Sequence, residues 1–470
     1  MSWRIALTAL ACVGLSACNL APSYQSPDVS VPDRYNDRVQ DANDGLGAQA
    51  LTWQQFFGDE QLKFLVARGL ERNRDLAMAV ARIEQAKALY RIEDANRFPG
   101  IDGGAGASRS QAPLSSLDPV FADSRRTIQF NQYNVQVGIS AFELDFWGRV
   151  RNLSEAARHR YLATVEGQRA FRLSLIANIA ATYYAARAGE EGIELAQRTV
   201  GTRTYALRVA KDRLDAGATS LVDYEQAAIL LTQAQTQLAE LQRTTAEHWN
   251  QLWVLVDGKV DNAMPVPRPL ETAGQFEELN AGLPSSLIAV RPDIRQAEDL
   301  LRAANANIGV ARAAFFPRIA LTGTYGYTSA ELSDLMSSPS EIWSIGASIG
   351  LPIFDWGQRR AGVSLAQAQR AELVAGYQKS VQTAFSEVAT ALERRVRFRE
   401  QIEAQAVAVQ SQRRLAETAE LRYQNGISIY LEVVDARRGL FNAEQQMLLL
   451  RAAQLQNGVS LYVALGGGDE

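Results

Sequence analysis

The sequence predicts a mainly α-helical protein with a small β part, in which a strand pair and a long coiled-coil hairpin occur twice in one chain. Three observations predict it. Trp147 to Gly258 contains no proline, and neither does Trp356 to the C-terminus. Between helical stretches lie short segments of strict apolar–polar alternation. Landmarks also recur at fixed offsets: Trp147/Trp356, Arg213/Arg422 and Gly217/Gly426 all stand 209 residues apart. Upstream, Asp75/Asp293 and Pro99/Pro317 stand 218 apart, so the register shifts once, by nine residues, in the loop joining two strands. A surface loop absorbs such a change at small cost.

Composition narrows the function. The 470 residues are 47% hydrophobic with net charge −4, which argues against general nucleic-acid binding. Two His and two Cys leave little material for a zinc or thiol site. No GxSxG, HExxH, Walker A or CxxC motif occurs. The two histidines, His159 and His248, read as surface or packing residues in helices. No enzyme activity and no cofactor are expected.

The N-terminus sets the compartment. Met1 to Ala17 carries one charge, Arg4, and an apolar run ending Leu15-Ser16-Ala17-Cys18. That run is too short to span a membrane as a helix and reads as a secretory signal. Small residues before a Cys resemble a bacterial lipoprotein signal, which implies cleavage before Cys18 and a covalent lipid on it. Asn19 rather than Asp fits onward export to the outer membrane. Acyl chains add membrane affinity.

In order, the domains read as a signal peptide (1–17), an extended arm (18–60), a first repeat (61–260), a linker (261–284), a second repeat (285–466) and a tail (467–470). The arm contains Pro22, Pro27 and Pro32 and shows no periodicity. A helical pattern runs from Gln61 to Arg97 and ends at Phe98-Pro99. Strands fall at about 99–145 and 317–353. In Tyr133 to Ala141 and Trp343 to Leu351 every odd residue is apolar, or nearly so, and the others are Gln, Asn, Ser or Gly. Ile319 to Tyr327 is similar, and Ile101 to Arg109 is a Gly-rich version. Strands of about ten residues, apolar on one face and uncharged polar on the other, fit transmembrane β-strands. A half-buried soluble sheet is the competing reading.

After each strand pair comes a very long helix. Leu207, Ala210 and Leu214, or Ala384, Val388, Ala391 and Leu392, repeat at helical spacing. From Gly148 to Leu214 a helix would rise roughly 100 Å and needs coiled-coil partners. The Ala-rich seam Leu365 to Ala375 permits close packing. Trp147 and Trp356 stand where these helices begin and suit either an aromatic belt or core packing. Asp145 and Asp355 are placed to cap the helices.

Four strands cannot close a barrel, and an open edge in lipid would leave backbone groups unpaired. Oligomerisation solves this; two copies give eight strands and three give twelve.

The chain carries, in order, LSAC with Cys18, Trp53, FFGDEQL (56–62), FPG and FPR, DFWGR (145–149), DWGQ (355–358), RYQNG (422–426), YLEVVDARR (430–438) and YVALGGG (462–468). This ordered set resembles the TolC-type outer-membrane factor family, in its OprM/NodT-like efflux lipoprotein branch. The resemblance covers the mature chain. It implies a homotrimer in which four strands per chain complete a 12-stranded β-barrel and the hairpins form an α-helical barrel. The protein would be a passive exit duct for drugs or other small organic solutes. Its expected partners are a periplasmic adaptor and an inner-membrane RND-type transporter.

The resemblance also implies a gate at the hairpin turning at Gly426. Glu432 and Asp435 are three residues apart on one helix face and would form carboxylate rings in a trimer. Leu431 matches a constriction position, and Arg438 is within salt-bridge reach of Asp435. Tyr423 matches a tyrosine that hydrogen-bonds the outer hairpin, with Asp223 as its acidic partner. Gln424 and Ser428 depart from the family, whose members often place an arginine at one of these positions, so the link is expected either to be weaker or to use Arg422 instead. The alternative to a duct is a periplasmic coiled-coil scaffold or adaptor lipoprotein without a pore.

Overall fold

A computed structural model of the chain describes residues 19–29, 46–47, 51–113, 126–260, 264–273, 279–280 and 291–467. The principal elements are α1 (Glu60–Arg72), α2 (Arg74–Ala95), β1 (Asp102–Pro113), β2 (Thr127–Glu143), α3 (Arg149–Asp215), α4 (Leu221–Leu255), α5 (Pro292–Ala313), β3 (Arg318–Ser329), β4 (Glu341–Gly350), α6 (Gln358–Gln424) and α7 (Tyr430–Ala464). The duplication holds at the level of the helices. α3 and α6 are each 67 residues long and α4 and α7 each 35, and both pairs stand 209 residues apart. α2 and α5 are each 22 residues, offset by 218.

The predicted continuous helix from Gln61 to Arg97 is two helices. Asn73 interrupts it, with its N–H on the Gly69 carbonyl (2.9 Å) and an extended ψ of 127°. Its buried side chain then accepts from Leu76 N (2.9 Å) and donates to the Leu255 carbonyl (2.9 Å). One asparagine thus ends α1, starts α2 and ties both to the end of α4. Part of the predicted extended arm is also helical. Trp53–Phe56 form one turn behind a capping box in which Thr52 and Gln55 bond reciprocally.

The chain forms two compact units, and each draws on both repeats. The first holds the segments to Pro27, Ile83–Thr164 and Ala297–Tyr377. Its centre is one antiparallel sheet in the order β1-β2-β3-β4, an up-and-down array whose outer strands, β1 and β4, have a free edge. Val135, Val137, Ile139, Tyr325, Tyr327, Trp343 and Ile345 share one face; Asn134, Gln136, Thr324 and Ser344 share the other. Thr324 and Ser344 bond through their hydroxyls at 2.7 Å. Close approach of β2 and β3 needs Gly326, where an added Cβ would lie 2.2 Å from the Val135 carbonyl.

The alternation does not hold along all of β2. Ile128 and Phe130 lie on the polar face, and Arg109, Gln111, Gln129 and Asn131 on the other, because the β1–β2 register runs without a bulge. The apolar band therefore stops at Tyr133, and beyond it Arg109, Gln129 and Gln111 form a hydrogen-bonded polar row.

At the strand–helix junctions Asp145 accepts from Arg151 N (2.7 Å) and Asp355 from Arg359 N (3.0 Å) and Gly357 N (3.1 Å). The Arg359 amide and its neighbours hold the Asp355 carboxyl below the usual carboxylate range. The two tryptophans diverge. Trp147 stacks on Phe316 (4.6 Å) and donates to the Pro317 carbonyl, whereas Trp356 is 91% exposed. The N-terminal segment lies in this unit too: Asn19 accepts from Asn152 (2.9 Å), and the Pro22 carbonyl from Asn305 (2.7 Å).

The second unit holds Asp28–Arg82, Val165–Gln296 and Gln378 to the C-terminus. Its core gathers Trp53, Phe56, Phe57, Leu62, Leu65, Val66, Ile176, Ile179, Tyr183, Leu252, Val388, Leu455 and Tyr462. The FFGDEQL motif supplies a buried carboxylate here. Asp59 caps α1 through Gln61 N (2.8 Å) and Leu62 N (3.3 Å) and accepts from Tyr183 Oη (2.9 Å) and Arg268 N (3.2 Å). Burial, then the Asp59 charge, raises the Tyr183 phenol far above its ordinary value. Among the described residues no helix is long and apolar enough to cross a membrane.

Candidate functional site

The two hairpin turns of the second unit are built alike and finished differently. At the first, Ala218 N bonds the Arg213 carbonyl (2.8 Å) and Gly217 N the Leu214 carbonyl (2.9 Å). At the second, Ile427 N bonds Arg422 O (2.9 Å) and Gly426 N bonds Tyr423 O (3.0 Å). This is the six-to-one and five-to-two pattern of a helix ending on a left-handed residue. Gly217 and Gly426 supply it, at φ 69° and 72°.

The returning helices differ. Ser220 caps α4 by accepting from Asp223 N (3.3 Å), and Thr219 Oγ1 donates to Asp223 Oδ2 (2.6 Å). At the corresponding place α7 has Ile429, which offers no side-chain cap. Ser428, which corresponds to Thr219, has a buried hydroxyl without a partner. Glu432, which corresponds to Asp223, only approaches Arg422, at 4.0 Å. The returning helix of the second turn is the more weakly capped of the two, while the turn itself gains a bond from Asn425 Nδ2 to the Leu421 carbonyl (2.7 Å) that Ala216 cannot make in the first.

The structure brings the predicted gate residues onto one side of α7. Val433, Val434 and Ala436 are buried, and Val433 and Ala436 pack with Ala416, Ala419, Tyr423, Tyr430 and Leu440. Leu431, Glu432, Asp435 and Arg438 stay exposed. Arg438 donates to Asp435 at 2.7 Å, so the Asp435 charge is already countered. Glu432 keeps the weaker contact with Arg422.

The expected hydrogen bond between Tyr423 and Asp223 is not made. The Asp223 carboxylate is engaged by Thr219 in its own turn. Tyr423 instead lies beneath the Arg213 guanidinium, 4.8 Å from Cζ to ring centroid, with Tyr430 tilted against it at 5.1 Å.

Three contacts were not foreseen from sequence. Glu420 bonds Arg437 across the second hairpin (2.7 Å), and Arg413 bonds Glu444 (2.8 Å). Arg203 is buried and donates to the Leu230 carbonyl (2.6 Å), joining α3 to α4. Burial lowers its pKa. Arg213 stands out in the sequence only as a landmark of the repeat, paired with Arg422, and not as a contact. Cys18 lies outside the described residues; its neighbour Asn19 sits beside Gly148 at the start of α3.

A sheet with one apolar face and free edges, together with two long hairpins, defines an exported helical channel protein. The model of the outer membrane efflux protein family matches residues 65–256 and 283–467, and the chain belongs to that family. The solvent efflux pump outer membrane protein SrpC of Pseudomonas putida is 41% identical over 97% of this chain and 96% of its own. The cation efflux system protein CusC of Escherichia coli is 37% identical over 97% of each chain. Among solved structures, the open state of the Neisseria gonorrhoeae MtrE outer membrane channel superposes with a TM-score of 0.86. It is 34% identical and covers 96% of this chain and 99% of that one. The protein is an outer-membrane exit channel for efflux. That membership sets aside the scaffold alternative, and the family is one of channels rather than enzymes.

Proposed function

We propose that three copies of this chain assemble into one duct, anchored by a lipid on Cys18 and closed at the second hairpin turn until partners engage it. The observation that carries the assembly is the four-stranded up-and-down sheet with an apolar face and two free edges. In lipid those edges need partners; two copies or three would each supply an even number of strands, and the family resemblance selects three, with twelve. A periplasmic adaptor and an inner-membrane RND-type transporter complete the pump, as the family resemblance implies.

The gate reading rests on the exposed stripe of Leu431, Glu432, Asp435 and Arg438 and on the weaker capping of the helix that leaves the second turn. In threefold symmetry Leu431 narrows the pore and the charges form rings. Because Arg438 counters Asp435, the ring without a close countercharge is Glu432. The cargo is a small organic solute; the solvent pump relative at 41% identity supports that class over the cation exporter at 37%.

Single-channel recording in planar bilayers tests this. Wild type is expected to give small flickering currents. Arg438→Gln should raise cation preference by freeing Asp435, and Asp435→Ala should lower it and enlarge the current. Selectivity and current size unmoved by either change would remove these residues from the pore. Mass spectrometry of the mature N-terminus tests the lipid on Cys18.

A further inference from the structure

We propose that Arg213 is the positioning residue that holds the second hairpin against the first, through the face of the Tyr423 ring rather than through its hydroxyl. The inference rests on the reading of the second turn as the gate, and it names a contact that reading did not contain.

Three observations carry it. Arg213 Cζ stands 4.8 Å from the Tyr423 ring centroid, within the range of a cation–π contact. Arg213 belongs to α3 and Tyr423 to α6, so the contact joins the two hairpins directly. The alternative bond is not made: among the described residues the Asp223 carboxylate accepts from Thr219 at 2.6 Å and not from Tyr423. Among the described residues the Tyr423 hydroxyl makes no hydrogen bond and Arg213 no ion pair. Each group's clearest engagement beyond its own helix is with the other, apart from Tyr430 tilted against the ring at 5.1 Å.

The duplication explains why only one such latch occurs among the described residues. Arg213 corresponds to Arg422, and Tyr423 to Leu214. The first repeat therefore offers a cation and no ring, and the second offers both. Arg422 turns to Glu432 within its own hairpin, which leaves Arg213 to bridge.

A ring-face latch and a hydroxyl latch make opposite demands on Tyr423. Phenylalanine keeps the face and loses the hydroxyl, while leucine loses both. An exposed cation–π contact corresponds to about twofold to fivefold in the closed-to-open ratio per protomer. The test is open probability of the full-length protein in planar bilayers for Tyr423→Phe, Tyr423→Leu, Arg213→Lys, Arg213→Gln and Asp223→Asn. Melting curves check that each variant is folded. Tyr423→Leu and Arg213→Gln are expected to raise open probability at least twofold, while Tyr423→Phe and Arg213→Lys retain closure. Opening by Tyr423→Phe as large as by Tyr423→Leu overturns the proposal in favour of a hydroxyl latch. So does opening by Asp223→Asn with none by Arg213→Gln. If Asp435→Ala and Arg438→Gln alter the currents but Arg213 and Tyr423 variants do not, the latch fails and the gate stands. If no variant at either turn alters them, the gate reading itself fails.

Discussion

Asp59 shows how a short motif becomes architecture. A carboxylate placed one residue before α1 accepts two backbone amides of the first turn, and it is 1% exposed. Burying it is tolerable because Tyr183 and Arg268 N also donate to it. Asp59→Ala removes a cap and leaves the Tyr183 hydroxyl facing Gln61 alone, at 3.2 Å. The expected cost is about 2–4 kcal/mol, a cap plus a poorly satisfied buried donor. Tyr183→Phe should cost less, since the cap survives. Thermal melting of the two variants checks the order. A larger loss in Tyr183→Phe would mean that the phenol, not the cap, organises this core. At this scale the sequence is legible where function follows from period. Glu432, Asp435 and Arg438 could be placed on one face by counting along a helix, whereas Leu431 came from the family resemblance. The pairing of Arg213 with Tyr423 could not, because it depends on how α3 packs beside α6. The resemblance paired Tyr423 with Asp223, whereas in the structure it is Thr219, four residues upstream, that donates to that carboxylate.

The helices were legible because their ends are written in backbone chemistry. Gly217 and Gly426 mark two identical turns, and the absence of proline lets each 67-residue helix run uninterrupted. The division of Gln61 to Arg97 was less visible, since an asparagine interrupts a helix only when its side chain finds partners at both ends. The hairpins differ in the caps of their returning helices. Ser220 caps α4, and Ile429 at the matching place cannot cap α7. A gate that must open gains from a turn that frays readily, because moving segments come from the less stable end of a fold. Replacing Ile429 with Ser should add a cap of about 1 kcal/mol. Hydrogen exchange in peptides spanning the second turn should then slow by roughly fivefold, with the first turn unchanged. Channel open probability should fall in the same variant. Slower exchange without lower open probability would separate the fraying of this turn from gating.

For the whole molecule the decisive feature is an incomplete sheet. β1 and β4 run antiparallel to each other and each leaves one edge free, so β4 of one copy can pair with β1 of the next in the same up-and-down pattern. The strands could be read from alternation, and the need for more copies from their number. The limit of the apolar band at Tyr133 could not, because it follows from an unbroken register through residues that change phase. Pairing between copies must also respect the faces, since a one-residue slip turns every side chain over. Ser108 lies on the polar face with Gln132, and Ser344 and Ser348 share that face with Thr324 and Ala320. Cysteine at Ser108 should therefore form a disulfide with cysteine at Ser344 or Ser348 of the adjacent copy, whichever the register brings to a Cβ separation of about 4 Å. Cysteine at Ile345, on the opposite face, should not pair with it. Each productive double variant, oxidised in membranes, should run on denaturing gels as a covalent ring of three with a dimer beneath it. The Ser108→Cys single variant should run as a monomer. Dimers without trimers at full oxidation would indicate a two-copy barrel of eight strands. Cross-linking through Ile345 rather than Ser344 or Ser348 would place the neighbouring strand in the inverted register, and the apolar face would then not be continuous around the barrel.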